Sequence, residues 1–284
     1  MTSTGWRLRI RHHTGFSYAG PVRTSYNEAR ITPISNDRQL ALESTVEVSP
    51  AAAVYRYWDW WGTLVHSFDL HEPHDELIVT GSSIVETSGP LGPPATPATW
   101  AELAADDIRD RFAELLAPSR YVPLDDDVAD LAAELGNGLD PLQACDAVIA
   151  TVRSRMKYER GTTTVSTKAG DALRIGGGVC QDFTHVALAL LRARGIPARY
   201  VSGYLHPSAA AEPGQSLAGQ SHAWVEAWVG DWLPFDPTNG GSVGERHVVV
   251  GRARDYADLA PLNGIFHGGP AKALGVTVEL TRLA

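Results

Sequence analysis

The sequence predicts an α+β protein of two domains, and three observations predict it. Residues 1–88 alternate apolar and polar side chains in short runs, the period of half-buried strands. Residues 89–98 hold Gly89, Pro90, Gly92, Pro93, Pro94 and Pro97, the composition of a linker. Residues 99–284 change to helical spacing and later return to strands, the pattern of an α+β arrangement.

Each element follows from local chemistry. Trp6-Arg7-Leu8-Arg9-Ile10-Arg11 alternates inward and outward side chains, and Val46 and Val48 flank Glu47. Residues 64–70 and 77–80 are further strands. Gly20-Pro21, Ser35-Asn36-Asp37, Ser49-Pro50, Gly62 and Glu72-Pro73 punctuate them, so a β-sandwich-like N-terminal domain is expected. After the linker, residues 98–116, 125–135 and 141–156 carry apolar residues at three- and four-residue steps, with Ala144, Val148 and Val152 on one stripe. Residues 161–178 read as a loop. A helix starts at Cys180, with Phe183, Val186, Ala187, Leu190 and Leu191 on one face, and Gly195 and Pro197 stop it. Residues 198–204, 222–229, 232–235, 245–250 and 275–283 read as strands.

Bulk properties exclude several functions. The chain has 284 residues and a formal net charge of -9, with no basic block, so neither nucleic acid nor an anionic membrane is an expected partner. No apolar run approaches the roughly 20 residues that span a bilayer. The first ten residues lack the apolar core of a signal peptide, so the cytoplasm is the expected compartment. Two cysteines make no disulfide framework. His12, His13, His66, His71 and His74 are scattered, and no Cys/His set has zinc-site spacing, so no metal is expected.

The chemistry concentrates in three places. Gly176-Gly177-Gly178-Val179-Cys180 leads three glycines into a cysteine at a helix start, where the dipole favours a thiolate. His222 lies in Ser221-His222-Ala223-Trp224, and Asp236 lies in Phe235-Asp236-Pro237-Thr238. A cysteine, a histidine and an aspartate in this order suggest nucleophilic acyl transfer. Strand register sharpens the case for Asp236. A two-residue turn at Gly230-Asp231 pairs Val225 with Asp236 and turns the carboxylate away from His222. A loop centred on Gly230 pairs Trp228 with Trp232 and Trp224 with Asp236, placing Asp236 diagonal to His222 on one face. A three-residue turn or a bulge is therefore predicted, and Pro234, which cannot donate to a ladder, favours irregularity.

Four blocks together resemble the bacterial transglutaminase-like superfamily: Gly177-Gly178-Val179-Cys180-Gln181-Asp182-Phe183, Gly195-Ile196-Pro197-Ala198-Arg199-Tyr200, His222-Ala223-Trp224-Val225-Glu226, and Phe235-Asp236-Pro237-Thr238-Asn239-Gly240. Pro21-Val22, Asn27-Glu28-Ala29-Arg30 and Thr32-Pro33 are similar to the strand-rich companion domain of that family. The resemblance implies a papain-like transglutaminase core, a Cys180-His222-Asp236 triad and amide chemistry on a peptide or a glutamine side chain. Gln181 departs from it, standing where similar sequences commonly carry arginine.

In that reading His222 takes the thiol proton and later gives it to the leaving amine, while Asp236 orients the ring. The Cys180 N–H is the natural first oxyanion donor. Tyr158 and Gln181 are candidates for the second, and Trp224 for a wall of the substrate cleft. Bland roles fit other residues: a buried hydrophobe for Cys145, helix-end electrostatics for Asp182, a local hydrogen bond for His185 and an ion pair for Glu226. The expected function is cysteine-dependent acyl transfer through a thioester, without a cofactor, with hydrolysis favoured over amine transfer. A cross-linking transglutaminase and a non-catalytic peptide-binding module are the alternatives. An acyl-CoA transferase would need a basic nucleotide pocket, which the sequence lacks.

Overall fold

The computed structural model describes residues 5–135 and 138–284. Six strands open the chain: β1 (Arg7–Val22), β2 (Thr24–Ala29), β3 (Gln39–Ser49), β4 (Tyr55–Trp58), β5 (Leu64–Leu70) and β6 (His74–Thr87). Then come α1 (Trp100–Leu103), α2 (Asp106–Arg111), α3 (Ala113–Leu116), α4 (Asp126–Glu134), α5 (Pro141–Arg155), β7 (Lys157–Tyr158), α6 (Ala169–Ile175), β8 (Gly177–Gly178) and α7 (Cys180–Ala193). The rest is β9 (Ala198–Leu205), β10 (Ser216–Trp228), β11 (Trp232–Phe235), β12 (His247–Ala253), α8 (Tyr256–Leu259), β13 (Leu262–His267), β14 (Ala271–Ala273) and β15 (Thr277–Arg282). Among the described residues, no helix is long and apolar enough to cross a membrane.

Alternation in β1 works as its sequence requires. Leu8, Ile10, His12 and Thr14 are buried, while Arg7, Arg9, Arg11 and His13 face solvent. A four-stranded sheet runs β13-β2-β5-β4, and a second sheet runs β12-β9-β10-β15-β1-β6-β3, with β11 added on β10 and β14 on β1. This second sheet spans both halves of the chain. β15 pairs with β1 on one side, from Leu8↔Arg282 to His13↔Thr277, and with β10 on the other, from Ser216↔Thr281 to Gly219↔Val278. The strands of residues 262–282, on the far side of the linker, thus return to the N-terminal half.

Side chains fasten the halves further. The Gln39 amide donates to the Val249 carbonyl and accepts from the Val249 N–H, each at 2.8 Å, mimicking a strand edge against β12. The Tyr204 hydroxyl donates to the Ile31 carbonyl at 2.7 Å.

Helix α7 is the axis of the second half. It packs against β9 and β10 and against α4, α5 and α6. Its burial exceeds the single stripe expected, since Thr184, His185, Leu188 and Ala189 are enclosed as well. A helix covered all round is a core element. Burying Leu188, Leu190 and Leu191 contributes about 2 kcal/mol each, a firm base for the residue at its start. The expected loop over residues 161–178 is corrected: α6 lies inside it, with Ala169, Gly170 and Ala172 buried. Its first turn has no capping side chain, the signal by which a seven-residue helix announces itself.

Candidate active site

Cys180 is the first residue of α7. The approach is clamped by β7 and β8, which pair in parallel through Lys157↔Gly177 and Tyr158↔Gly178. Asp182 then caps the helix start. Its carboxylate accepts from the Val179 N–H at 2.8 Å and from the Thr163 hydroxyl at 2.7 Å. Burial nevertheless pushes its pKa up against these bonds. Gly178 must be glycine because a Cβ there meets Asp182 Oδ2 at 2.4 Å and Asp182 Cβ at 2.7 Å. Gly178→Ala is expected to lower stability by about 1–3 kcal/mol, read by thermal melting, because the rigid helix start has to move.

His222 is set by β10, opposite Gly203 of β9. Asp236 is set by the turn between β10 and β11. Trp228 pairs with Trp232 and Val225 with Phe235, so three residues, Val229, Gly230 and Asp231, make the connection. Gly230 adopts φ +102°, and the Val229 N–H closes the loop on the Asp231 carbonyl at 3.1 Å. This is the odd loop the register argument requires. The Trp228 N–H points to the Pro197 carbonyl at 2.9 Å, towards β9. Glu226, two residues back, therefore also points its amide to β9, and its neighbour Pro234 sits where no donor is needed.

Asp236 lies just past the last paired residue and accepts from His222 Nε2 at 2.8 Å through Oδ2. The same oxygen accepts from Asn239 Nδ2 at 2.9 Å and His247 Nε2 at 3.4 Å. Its Oδ1 accepts the N–H groups of Thr238 at 2.9 Å and Asn239 at 3.1 Å. Burial opposes the charge, but these bonds outweigh it and hold the carboxyl well below the usual carboxylate range. Burial likewise opposes protonation of His222. Its hydrogen bond to Asp236, the nearby Cys180 and the charges of both raise its pKa to about 10.

His222 and Asp236 are bonded, and Cys180 lies near enough to raise the pKa of the imidazole. Tyr158 joins them at the surface, half exposed, in a cleft of about 360 Å³ that it lines with His222, Thr238 and Asn239. Two other expectations are corrected. Trp224 is completely buried and stacks behind His222, with ring centroids 6.0 Å apart, so it braces the imidazole and cannot touch substrate. Gln181 turns its amide to the Val165 carbonyl at 3.0 Å and tethers the preceding loop. The ordinary roles hold elsewhere. Cys145 is buried, and burial pushes its thiol up. His185 accepts the Tyr256 N–H at 3.3 Å, and Glu226 joins Arg199 and Arg252.

His247 was not legible as part of the site. Its Nδ1 accepts the Gly244 N–H at 3.3 Å, so the proton sits on Nε2 and faces Asp236. Burial lowers its pKa and keeps the ring neutral. The run Val248-Val249-Val250 fits a strand, but the contact of His247 with Asp236 arises only from tertiary packing. His247→Phe is expected to lower kcat/KM about 3–10-fold with KM little changed, because one long hydrogen bond to a charged group is lost. Among the described residues, His222, Asp236 and His247 also form the group that could offer ligand atoms to a metal, all within 4.8 Å of one another. Those atoms already serve the hydrogen bonds to Asp236.

Comparison with known proteins identifies the family and the fold. Residues 129–237 match the family model described as transglutaminase-like superfamily, and residues 8–86 match the bacterial transglutaminase-like N-terminal region. The uncharacterized protein ML0607 of Mycobacterium leprae is 48% identical over 279 residues, covering 98% of this chain and 100% of the relative. The uncharacterized protein Rv2569c of Mycobacterium tuberculosis is 34% identical over 294 residues, covering 92% of this chain and 88% of the relative. Among solved structures, a candidate cysteine protease from Cytophaga hutchinsonii superposes with a TM-score of 0.82 at 23% identity, over 99% of this chain and 92% of that one. This likeness shows a shared fold, the α+β core behind a β-sandwich-like N-terminal domain that the sequence led us to expect.

Proposed function

The chain belongs to the transglutaminase-like superfamily, and on that premise we propose that it is a thiol enzyme acting at an amide, with Cys180 as nucleophile, His222 as proton carrier and Asp236 as its orienting partner. The Cys180 thiolate attacks the carbonyl carbon and the C=O electrons move onto oxygen. The Cys180 N–H, in the first helical turn and so without a helical acceptor, can donate to that oxyanion. The oxyanion collapses, the C–N bond breaks, and the amine leaves with the proton held by His222. A thioester remains. Water, losing a proton to His222, attacks it to release the acid and restore the thiol. We place hydrolysis ahead of transfer to an amine, since water is always available and no residue of the cleft marks an amine site. The substrate in this proposal is a peptide or a glutamine-bearing protein.

The observation that carries this reading is the buried His222–Asp236 bond of 2.8 Å, on an imidazole whose pKa the neighbouring Cys180 also raises. Its test is mass spectrometry of glutamine-containing peptides incubated with the protein, with and without a primary amine. Backbone cleavage identifies a peptidase, deamidation an amidase, and amine incorporation a transferase. Absence of all three, together with iodoacetamide alkylation of Cys180 at pH 6 no faster than of the buried Cys145, leaves only a peptide-binding module.

A further inference from the structure

We propose, resting on the acyl-transfer reading above, that the cleft selects acyl donors with a carboxylate close to the scissile amide, and that Arg246 is the residue that reads it. The cleft is lined by Tyr158, Leu205, Gln220, Asn239 and Arg246, and apart from the His222 imidazolium its other lining residues are uncharged. No aspartate or glutamate contributes to its wall. Asp236 stands behind His222, buried, with its charge met by the imidazolium. The cleft therefore carries a cationic side chain in a protein of formal net charge -9.

Arg246 is held but not neutralised. Its Nη1 donates to the carbonyls of His206 at 3.2 Å and Pro207 at 3.4 Å, which fixes the guanidinium on that rim. Among the described residues six other arginines are paired with carboxylates, including Arg199 and Arg252 with Glu226 and Arg254 with Asp258. Among the described residues, no carboxylate pairs with Arg246, and its Nε and Nη2 have no hydrogen-bond acceptor. A planar fork with free N–H groups on an anchored guanidinium matches a carboxylate better than any neutral amide or cation. An anchored fork also loses little side-chain freedom when a ligand arrives. An acidic residue of the donor would meet Arg246 while its amide lies against the thiol. A glutamine in its place offers one neutral acceptor, and a lysine is repelled.

The test uses the full-length protein and thiol-directed labels, iodoacetyl-glutamate amide, iodoacetyl-glutamine amide and iodoacetyl-lysine amide. Each transfers its acetyl carbon to the Cys180 sulfur and releases iodide, so no amide need be turned over. The glutamate label should react with a kinact/KI at least about 10-fold above the glutamine label, with the lysine label slowest. Arg246→Gln should erase the glutamate advantage, Arg246→Glu should invert it, and Arg246→Lys should keep part of it. Equal rates for the glutamate and glutamine labels on the native protein would overturn the proposal, whatever the variants do. A preference that survives Arg246→Gln in a protein of unchanged melting temperature would overturn it too, by assigning the selection to the His222 imidazolium. Turnover of amides without label preference sinks the role of Arg246 and leaves acyl transfer standing. Label preference without turnover does the reverse.

Discussion

Cys180→Ser is expected to lower kcat by about 10³–10⁴-fold while the melting temperature stays within a few degrees. A hydroxyl in place of the thiol keeps the size of the side chain and the start of α7, so the fold has little reason to change. The chemistry has every reason to. In the native protein, His222 is held protonated to about pH 10 by Asp236 and Cys180 despite burial that works the other way. That arrangement suits a thiolate beside an imidazolium. A serine hydroxyl does not ionise in exchange for such a proton, and an already protonated His222 is no base for it. Initial rates on the best peptide found, with Cys180→Ala as blank, decide the point. A serine variant with more than a tenth of native activity would remove Cys180 from the reaction.

Asp236→Asn should be nearly as damaging and should also cost stability. Five donated hydrogen bonds converge on the native carboxylate, from His222, Asn239 twice, Thr238 and His247. A neutral amide keeps one acceptor oxygen and turns two N–H groups on donors. Breaking a buried charge pair of this kind costs about 3–5 kcal/mol, and we expect a loss near the lower end because Asn retains the shape. The rate should fall about 10²–10⁴-fold as His222 loses its orientation and tautomer. The pH dependence follows from the sign of each shift. The raised pKa of His222 contributes stability that is complete below about 6.5 and lost as pH climbs through about 10. The depressed pKa of Asp236 contributes stability present above its ordinary value and lost only in strong acid. Native protein should therefore melt progressively earlier from about pH 7 to pH 10, and Asp236→Asn should flatten that slope. The alkaline limb of kcat/KM should move towards neutrality in the variant. A variant whose melting profile and alkaline limb both coincide with native would show that Asp236 does not hold the imidazolium.

Much of this candidate site is legible in the sequence alone. The glycine run marked the start of α7 because backbone geometry near a buried carboxylate tolerates no side chain at Gly178. The spacing of Trp228, Gly230 and Trp232 fixed the register because a strand has a period of two and leaves only one parity that brings Asp236 to His222. What escaped was non-local. Trp224 looked like a cleft wall because a strand pattern cannot reveal that β12 and Gln39 close over that face. Gln181 looked available because the loop that takes its amide folds back from residues before the helix. His247 and Arg246 follow an irregular stretch, and no pattern along the chain tells that they return to Asp236 and to the cleft.

The placement of β15 has an evolutionary corollary. One short strand supplies ladder partners to β1 and to β10 at once, so each half carries a row of backbone groups that only the other's company satisfies. Neither half is a module that recombination could lift out and splice elsewhere intact. Variation in this lineage is expected to enter through surface loops and through the walls of the cleft, while the two halves are inherited together.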